Sequence, residues 1–263
     1  MNRIDKKFRE LRRRPAFIPY LTAGYPDLLT TEKLIYKLKE AGADIIELGV
    51  PFSDPVADGL TIQASSQWAL NRGVTLKKIL KLVRRLRKKT PLPIVLMSYY
   101  NPVLHYGKKF LKEAAAAGVD GLIIPDLPVE ESVALSQAAA ASSLNLILLA
   151  APTTPTPRLK KIISLTRGYL YYVSLTGVTG ERKQLPAGLQ GQLKYLKKIS
   201  RTPVAVGFGF SRPAQLKKIK NLVGGVIVGS AIIGVMSKNL KKKRPVLIKK
   251  TLEFCQSLKK ALN

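Results

Sequence analysis

The stretch DIIELGVPFSDPVADG, residues 44–59, carries one acid inside an apolar run and two more in the loop behind it. Ile45, Ile46, Leu48 and Val50 suit a strand buried on both faces of a parallel sheet. Glu47 interrupts them, and a carboxylate in such a run is costly unless it faces a polar cavity or finds partners. The run breaks at Gly49 and Pro51, and Asp54 and Asp58 follow, held between Pro51, Pro55 and Gly59. Enzymes built on parallel sheets gather their chemistry at this end of the strands. Ser53-Asp54-Pro55 is also ordinary turn chemistry, so Asp54 has a plain structural reading. Glu47 has none of that kind, because a strand core gains little from a lone acid.

Outward from this stretch the pattern repeats. Short apolar runs stand at FIPYL (17–21), DIIELGV (44–50), PIVLMSY (93–99), GLIIPD (121–126), LILLA (146–150), YLYYVSL (169–175), PVAVGFG (203–209) and GVIVGS (225–230). Helical patterns lie near 30–41, 74–89, 108–117, 130–142, 157–166, 189–199, 213–220 and 244–261. Alternation of this kind over a chain of 263 residues predicts an α/β fold, a (β/α)8 TIM barrel. A doubly wound open sheet is the alternative, and the lack of a G-x-G-x-x-G after the first strand counts against it. No linker or composition shift divides the chain, so one domain is expected over 1–263, with a short N-terminal helix near 2–13 and the barrel from about 17.

Composition bounds the function. Hydrophobic residues make up 46%, normal for a globular protein, and no apolar run approaches the roughly 20 residues of a membrane helix. The basic start, MNRIDKKFRELRRRP, has no apolar core and does not read as a secretory signal. Cys255 excludes an internal disulfide and reads as a buried thiol. The anomaly is 45 Lys and Arg against 16 Asp and Glu, a net +29. Such a balance suggests nucleic acid, anionic membrane or acidic ligands. Its placement points elsewhere: within 75–89, Leu76, Ile79, Leu80, Val83 and Leu86 form one stripe and the bases lie away from it. The same pattern is expected on the other helices, with no basic segment interleaved with aromatics as nucleic-acid readers have.

Three regions meet at the strand ends of a barrel. Glu47, Asp54 and Asp58 are the first. The second is GFGFS (207–211) with VGSA (228–231), where Gly209, Gly229 and Ser230 follow the seventh and eighth strands. Barrels commonly hold phosphate there, on backbone N–H groups and a short helix. Ser211 is expected to cap the helix at Pro213, and Ser230 a short helix beginning near Ala231. The third is SLTGVTGERKQLPAGLQG (174–191), long enough to be a lid. Tyr20, Tyr99, Tyr171 and Phe208 stand near four strand ends and can line a flat apolar pocket. His105 has no evident partner, and no Cys/His cluster offers metal ligation.

FIPYLTAGYPD, IIELGVPFSDPVADG, VLMSYYNPV, PDLPVEE, APTT, TGVTGER, AVGFGFS and VIVGSAI, in this order, resemble the tryptophan synthase alpha chain family from about Phe17 to Val235. The resemblance implies a (β/α)8 barrel that cleaves indole-3-glycerol phosphate to indole and glyceraldehyde 3-phosphate. Catalysis falls on Glu47 and Asp58. The aromatic pocket falls on Tyr20, Tyr99, Tyr171 and Phe208, with Met97 and Leu149 beside it. Phosphate binding falls on Gly180, Gly209, Gly229 and Ser230, and Thr179 in the lid closes toward Asp58. The family implies a beta chain partner in an alpha2-beta2 tetramer, contacted near Asp54. Pyridoxal phosphate is expected in that partner; no cofactor and no metal are expected in this chain. Neither membrane nor specific nucleic acid is an expected partner. Alpha chains are near-neutral or acidic, so +29 is a departure. An organelle-encoded source is one account of it, and the expected location is the cytoplasm, or the plastid stroma in that case.

Two other readings stand beside this one. Another phosphate-binding barrel lyase or isomerase explains the loops after strands seven and eight, although an indole-glycerol-phosphate synthase relative needs a catalytic Lys that no expected strand contains. A nucleic-acid-binding barrel explains the charge, and a steep, saturable salt dependence of DNA binding separates it.

Overall fold

The computed structural model describes residues 1–12, 14–173, 185–186, 188–207 and 209–263. Its strands are β1 (Ala16–Thr22), β2 (Ile46–Gly49), β3 (Ile94–Met97), β4 (Gly121–Ile123), β5 (Asn145–Ile147), β6 (Leu149–Ala150), β7 (Leu170–Val173), β8 (Val204–Gly207) and β9 (Gly225–Val228). All neighbours pair in parallel, in the order β5-β4-β3-β2-β1-β9-β8-β7-β6. The two outermost strands are the halves of the single run expected at 146–150, parted at Leu148. There the Leu148 N–H turns aside to the Thr166 hydroxyl, 3.0 Å away, while its carbonyl accepts from the Tyr171 N–H at 3.0 Å. One bent strand thus faces β4 with its first half and β7 with its second, which closes the ring. The fold is the expected (β/α)8 barrel.

Among the described residues twelve helices surround and cap it: α1 (Arg3–Leu11), α2 (Leu28–Glu40), α3 (Leu60–Leu70), α4 (Leu76–Arg87), α5 (Tyr100–Tyr106), α6 (Phe110–Ala117), α7 (Ser132–Ala141), α8 (Thr156–Leu165), α9 (Leu189–Ile199), α10 (Pro213–Ile219), α11 (Ser230–Lys238) and α12 (Arg244–Leu262). The periodicity did not predict α3 and α5. The buried face of α3 carries Ser65 and Ser66 beside Ile62 and Ala69, while Leu60 is 81% exposed, so polarity and burial run against each other. In α5 only Val103 is buried, and Pro102 in its first turn reads as a loop signal. The chain's one tryptophan, Trp68, ties α3 down. Its Nε1–H donates to the Pro26 carbonyl at 3.0 Å, and the Arg72 guanidinium lies 3.9 Å above its ring.

Alternation along the strands makes two cores. Ile46 and Leu48 point outward to the helices, while Ile45 points into the barrel with Ile18, Val95, Ile123, Ile147, Tyr169, Ala205 and Ile227. At the strands' N-terminal end α1 plugs the barrel with Ile4, Phe8 and Leu11. Asp120 locks the plug. It is 2% exposed, and it accepts from Arg3 Nη1 at 2.7 Å, Arg87 Nη2 at 2.8 Å and the Ile94 N–H at 2.8 Å. Asn2 adds a bond to the Asp120 carbonyl at 2.8 Å.

The charge is less even than expected. Among the helices, α4 carries Lys77, Lys78, Lys81, Arg84, Arg85 and Arg87 with no acid, whereas α3, α5 and α7 carry no Asp, Glu, Lys or Arg at all. Among the described residues no helix is long and apolar enough to cross a membrane.

Candidate active site

At the opposite end of the barrel, β2 carries Glu47 inward, above Ile45 and below Gly49. The side chain is fully buried. Its Oε1 accepts from the Tyr169 hydroxyl at 2.6 Å, while Oε2 has no hydrogen-bond partner among the described residues. A buried polar atom left unpaired is expensive, and native structures keep few of them. Burial pushes the Glu47 carboxyl up to about 8, against a smaller downward pull from the Tyr169 bond. At neutral pH the group holds its proton.

The loop behind β2 brings Asp58 over the same cavity. Its backbone is fixed at both sides: its N–H donates to the Pro55 carbonyl at 3.0 Å, and its carbonyl accepts from Gln63 Nε2 at 2.8 Å. Asp58 Oδ2 accepts from the Tyr99 hydroxyl at 3.2 Å, and that hydroxyl accepts from the Ala57 N–H at 2.9 Å. The Tyr99 ring stacks on Phe52 with centroids 5.1 Å apart. Partial burial raises the Asp58 carboxyl to about 6, the Tyr99 bond opposing it. Asp54 stays apart from this group: it is exposed and is bonded by the neighbouring Ser53 hydroxyl, as turn chemistry predicts.

Tyrosines wall the cavity. Tyr20 pairs with Glu47 across β1 and β2, and its hydroxyl fills the space above Gly49, where a Cβ would lie 2.0 Å from it. Tyr171 does the same over Gly207, at 2.6 Å. Both are driven upward in pKa, by burial first and then by the charges of Glu47 and Asp58. Two acids that act on the same two phenols face one cavity. Met97, paired with Gly49, and Leu149, paired with Tyr171, pack on the barrel's inner core beneath. Tyr169 escaped the reading of the sequence. It stands two residues before Tyr171, so period two alone places it on the same inward face, while Tyr172 points out to bond Gln192.

At the ends of β8 and β9 stand the glycines expected to face a phosphate. Gly209 has φ +76°, a left-handed conformation that favours glycine. Gly229 is the N-cap of α11, and no side chain caps it; the helix starts at Ser230, one residue before the expected place. The hydroxyl expected as a cap therefore lies inside the first turn. Ser211 is not a cap either. Arg212 takes that position, and Gln215 Oε1 accepts from the Ser211 and Arg212 N–H groups at 3.0 and 2.9 Å. Phe208, Thr179 and Gly180 lie outside the described residues. His105 is exposed on α5. Among the described residues no group of three His, Cys, Asp or Glu could hold a metal ion.

A parallel barrel with two acids of raised pKa walled by tyrosines at its strand ends defines a (β/α)8 enzyme of the acid–base kind. Known proteins narrow that class. The family described as Tryptophan synthase alpha chain matches residues 7–263. The tryptophan synthase alpha chain of Picosynechococcus sp. is 46% identical, with all of both chains covered. That of Geotalea daltonii is 49% identical over 89% of each. Among solved structures, subunit alpha from Legionella pneumophila superposes with a TM-score of 0.91 at 37% identity, covering 100% of this chain and 98% of that one. A chain from the a2b2 complex of Pyrococcus furiosus gives 0.87 at 40%, covering 94% and 99%. The chain belongs to the tryptophan synthase alpha chain family and is a lyase of the tryptophan synthase type.

Proposed function

We propose that the cavity carries out retro-aldol cleavage of indole-3-glycerol phosphate, with Glu47 as the proton-transfer group. The observation that supports it most is the unpaired Oε2 of a carboxyl that keeps its proton to about 8. Cleavage needs a proton on indole C3 and the loss of one from the adjacent side-chain hydroxyl. Glu47 gives its proton to C3, which puts positive charge on the ring and its N–H. The Glu47 carboxylate then takes the hydroxyl proton. The C–C bond breaks, the hydroxyl carbon becomes the aldehyde, and the bonding electrons return to the ring as indole. Glu47 ends as it began, so one group is acid and then base. Tyr169 holds Oε1 and leaves Oε2 to the substrate. Asp58, ionised above about 6, accepts from the indole N–H and stabilises the charged ring. The N–H groups at Gly209, Gly229 and Ser230 suit the substrate phosphate, whose binding positions the reacting bond. Gly180, Thr179 and Phe208 remain candidates from the resemblance alone.

The rim of the cavity suits a beta chain. Val56, Leu60 and Leu104 are 77%, 81% and 57% exposed on the segments after β2 and β3, beside exposed Asp54. Pyridoxal phosphate belongs in this reading to that partner, in an alpha2-beta2 assembly. The proposed location is the cytoplasm, or the plastid stroma for an organelle-encoded chain.

Indole release from indole-3-glycerol phosphate tests the acid–base role. Glu47→Gln should lose about 10²–10⁴-fold in kcat while still binding substrate, the range of general acid–base groups. Retention of more than about a hundredth of wild-type kcat refutes it. Gly209→Asp tests the anion site: KM for the phosphorylated substrate should rise strongly, while condensation of indole with unphosphorylated glyceraldehyde should change little. Equal loss for both removes the phosphate from these loops.

A further inference from the structure

The loop that carries Asp58 has both of its ends on one residue of another strand. It leaves β2 at Gly49, which pairs in the ladder with Thr22, the last residue of β1, and Gly49 also accepts from the Ala23 N–H at 2.9 Å. It ends in α3, where Ser65 Oγ lies 2.6 Å from Thr22 Oγ1, both side chains buried. The polarity of this contact follows from proton counting. Ser65 donates its one hydroxyl proton to the Ile62 carbonyl at 2.8 Å, so it must accept from Thr22. The line runs Thr22 to Ser65 to Ile62, into the first turn of α3. From that turn Gln63 bonds the Asp58 carbonyl, and the Ile62 and Gln63 N–H groups bond Gly59, at 2.9 and 3.0 Å.

We propose that Thr22 and Ser65 form a positioning pair that sets the place of the Asp58 carboxylate over the cavity. The proposal rests on the role given to Asp58 above. Among the described residues that carboxylate is held by one side-chain bond, the long one of 3.2 Å from Tyr99. Apolar packing seats α3 only in part: Ile62 and Ala69 join the core and Trp68 packs on it, but serines share the buried face and Leu60 is in solvent. Two apolar side chains at positions 22 and 65 would hold the helix near the barrel without fixing its distance. A buried hydroxyl pair fixes it, because misalignment leaves a donor unpaired. Among the described residues the titratable groups that meet Asp58 are Tyr99 from the end of β3, Tyr20 from β1 and Tyr171 from β7, and Glu47 from β2 acts on the same Tyr20 and Tyr171.

The test is a double-mutant cycle of Thr22→Val and Ser65→Ala, with Thr22→Ser as the variant that keeps the hydroxyl. Each single loss should lower kcat by about 10-fold or more, in line with the roughly 100-fold effect of small misplacements, and the double variant should lose little beyond either single. Thr22→Ser should restore most of the rate. A loosened loop admits water, so the Asp58 carboxyl, followed by carbon NMR, should titrate below the wild-type value of about 6 in Ser65→Ala. The acid limb of kcat/KM should move down with it. Multiplicative losses with an unmoved Asp58 titration overturn the pair and leave it as ordinary packing. Asp58→Asn separates the two readings. If that variant keeps full kcat, the role of Asp58 is wrong and the positioning role falls with it. If it is inactive while the cycle is multiplicative, the positioning proposal alone fails.

Discussion

Two buried acids sit at opposite ends of this barrel, and they are treated differently. Asp120, at the end plugged by α1, is met by Arg3, Arg87 and the Ile94 amide. Burial pushes its carboxyl up, and those partners pull it back. Glu47, at the open end, has one tyrosine hydroxyl and an oxygen with no partner among the described residues. Depth is the same for both; the company differs. A satisfied acid holds parts together and has both oxygens engaged. An unsatisfied one is a local liability that only a ligand can relieve. The difference separates architecture from chemistry without any appeal to where the residues lie in the chain.

Replacing each acid by its amide breaks the comparison most directly. Asp120→Asn leaves two guanidinium groups facing a neutral side chain and should cost about 3–5 kcal/mol in urea unfolding, the range for breaking buried ion pairs. Glu47→Gln should do the reverse. Folded Glu47 keeps its proton to about 8, while the unfolded group releases it near its ordinary 4.5, so the folded state binds more protons between those values. Wild-type stability therefore falls as pH rises through that window, and the melting advantage of Glu47→Gln should grow from pH 5 to pH 8. Equal destabilisation by both changes, independent of pH, would erase the distinction.

The pH profile sharpens it. Above about 8 Glu47 enters the reaction without its proton, and below about 6 Asp58 is neutral and stabilises no positive ring. The kcat/KM of the free enzyme should be a bell with limbs near those values. A flat profile between pH 5 and 9 contradicts it.

The smallest effect is expected from the outer wall. Neutralising Lys77, Lys81, Arg84 and Lys88 of the α4 segment should leave kcat nearly unchanged. KM should shift modestly, and less at high salt, because mobile ions screen such charges over about 8–10 Å. Duplex DNA should bind weakly and be largely lost by about 200 mM salt. Tight binding that survives it would turn the charge from a surface bias into a site.

Much of this frame was legible in the residues. Apolar runs eight in number place the barrel, and the one acid inside an apolar run marks the cavity. What stayed hidden was set by contacts distant in sequence. The bend at Leu148 depends on Thr166, and α3 is seated by hydroxyls and one indole where periodicity looks for aliphatic side chains. The caps differ for a related reason: Ser211 and Ser230 are good cap residues in isolation, but Arg212, bonded by Gln215, and the bare Gly229 took those places. Tyr169 was readable by period two and was overlooked because its neighbour Tyr171 stood closer to the strand end. The uneven charge needed the helix boundaries, since α3 and α5 are the uncharged elements that the periodicity did not show.

Trp68 makes the chain its own optical reporter. It is the only indole in the polypeptide, half-buried, pinned to Pro26 and covered by Arg72 in the helix that begins where the Asp58 loop ends. Fluorescence excited beyond the absorption of the tyrosines thus comes from a single place, and a shift of α3 by a fraction of a turn alters the cation above the ring and with it the emission. Titrants that do not emit, such as inorganic phosphate or glyceraldehyde 3-phosphate, can be followed without a label or an inserted probe. An unchanged spectrum on binding would show a helix that stays still; a shifted one would time its motion.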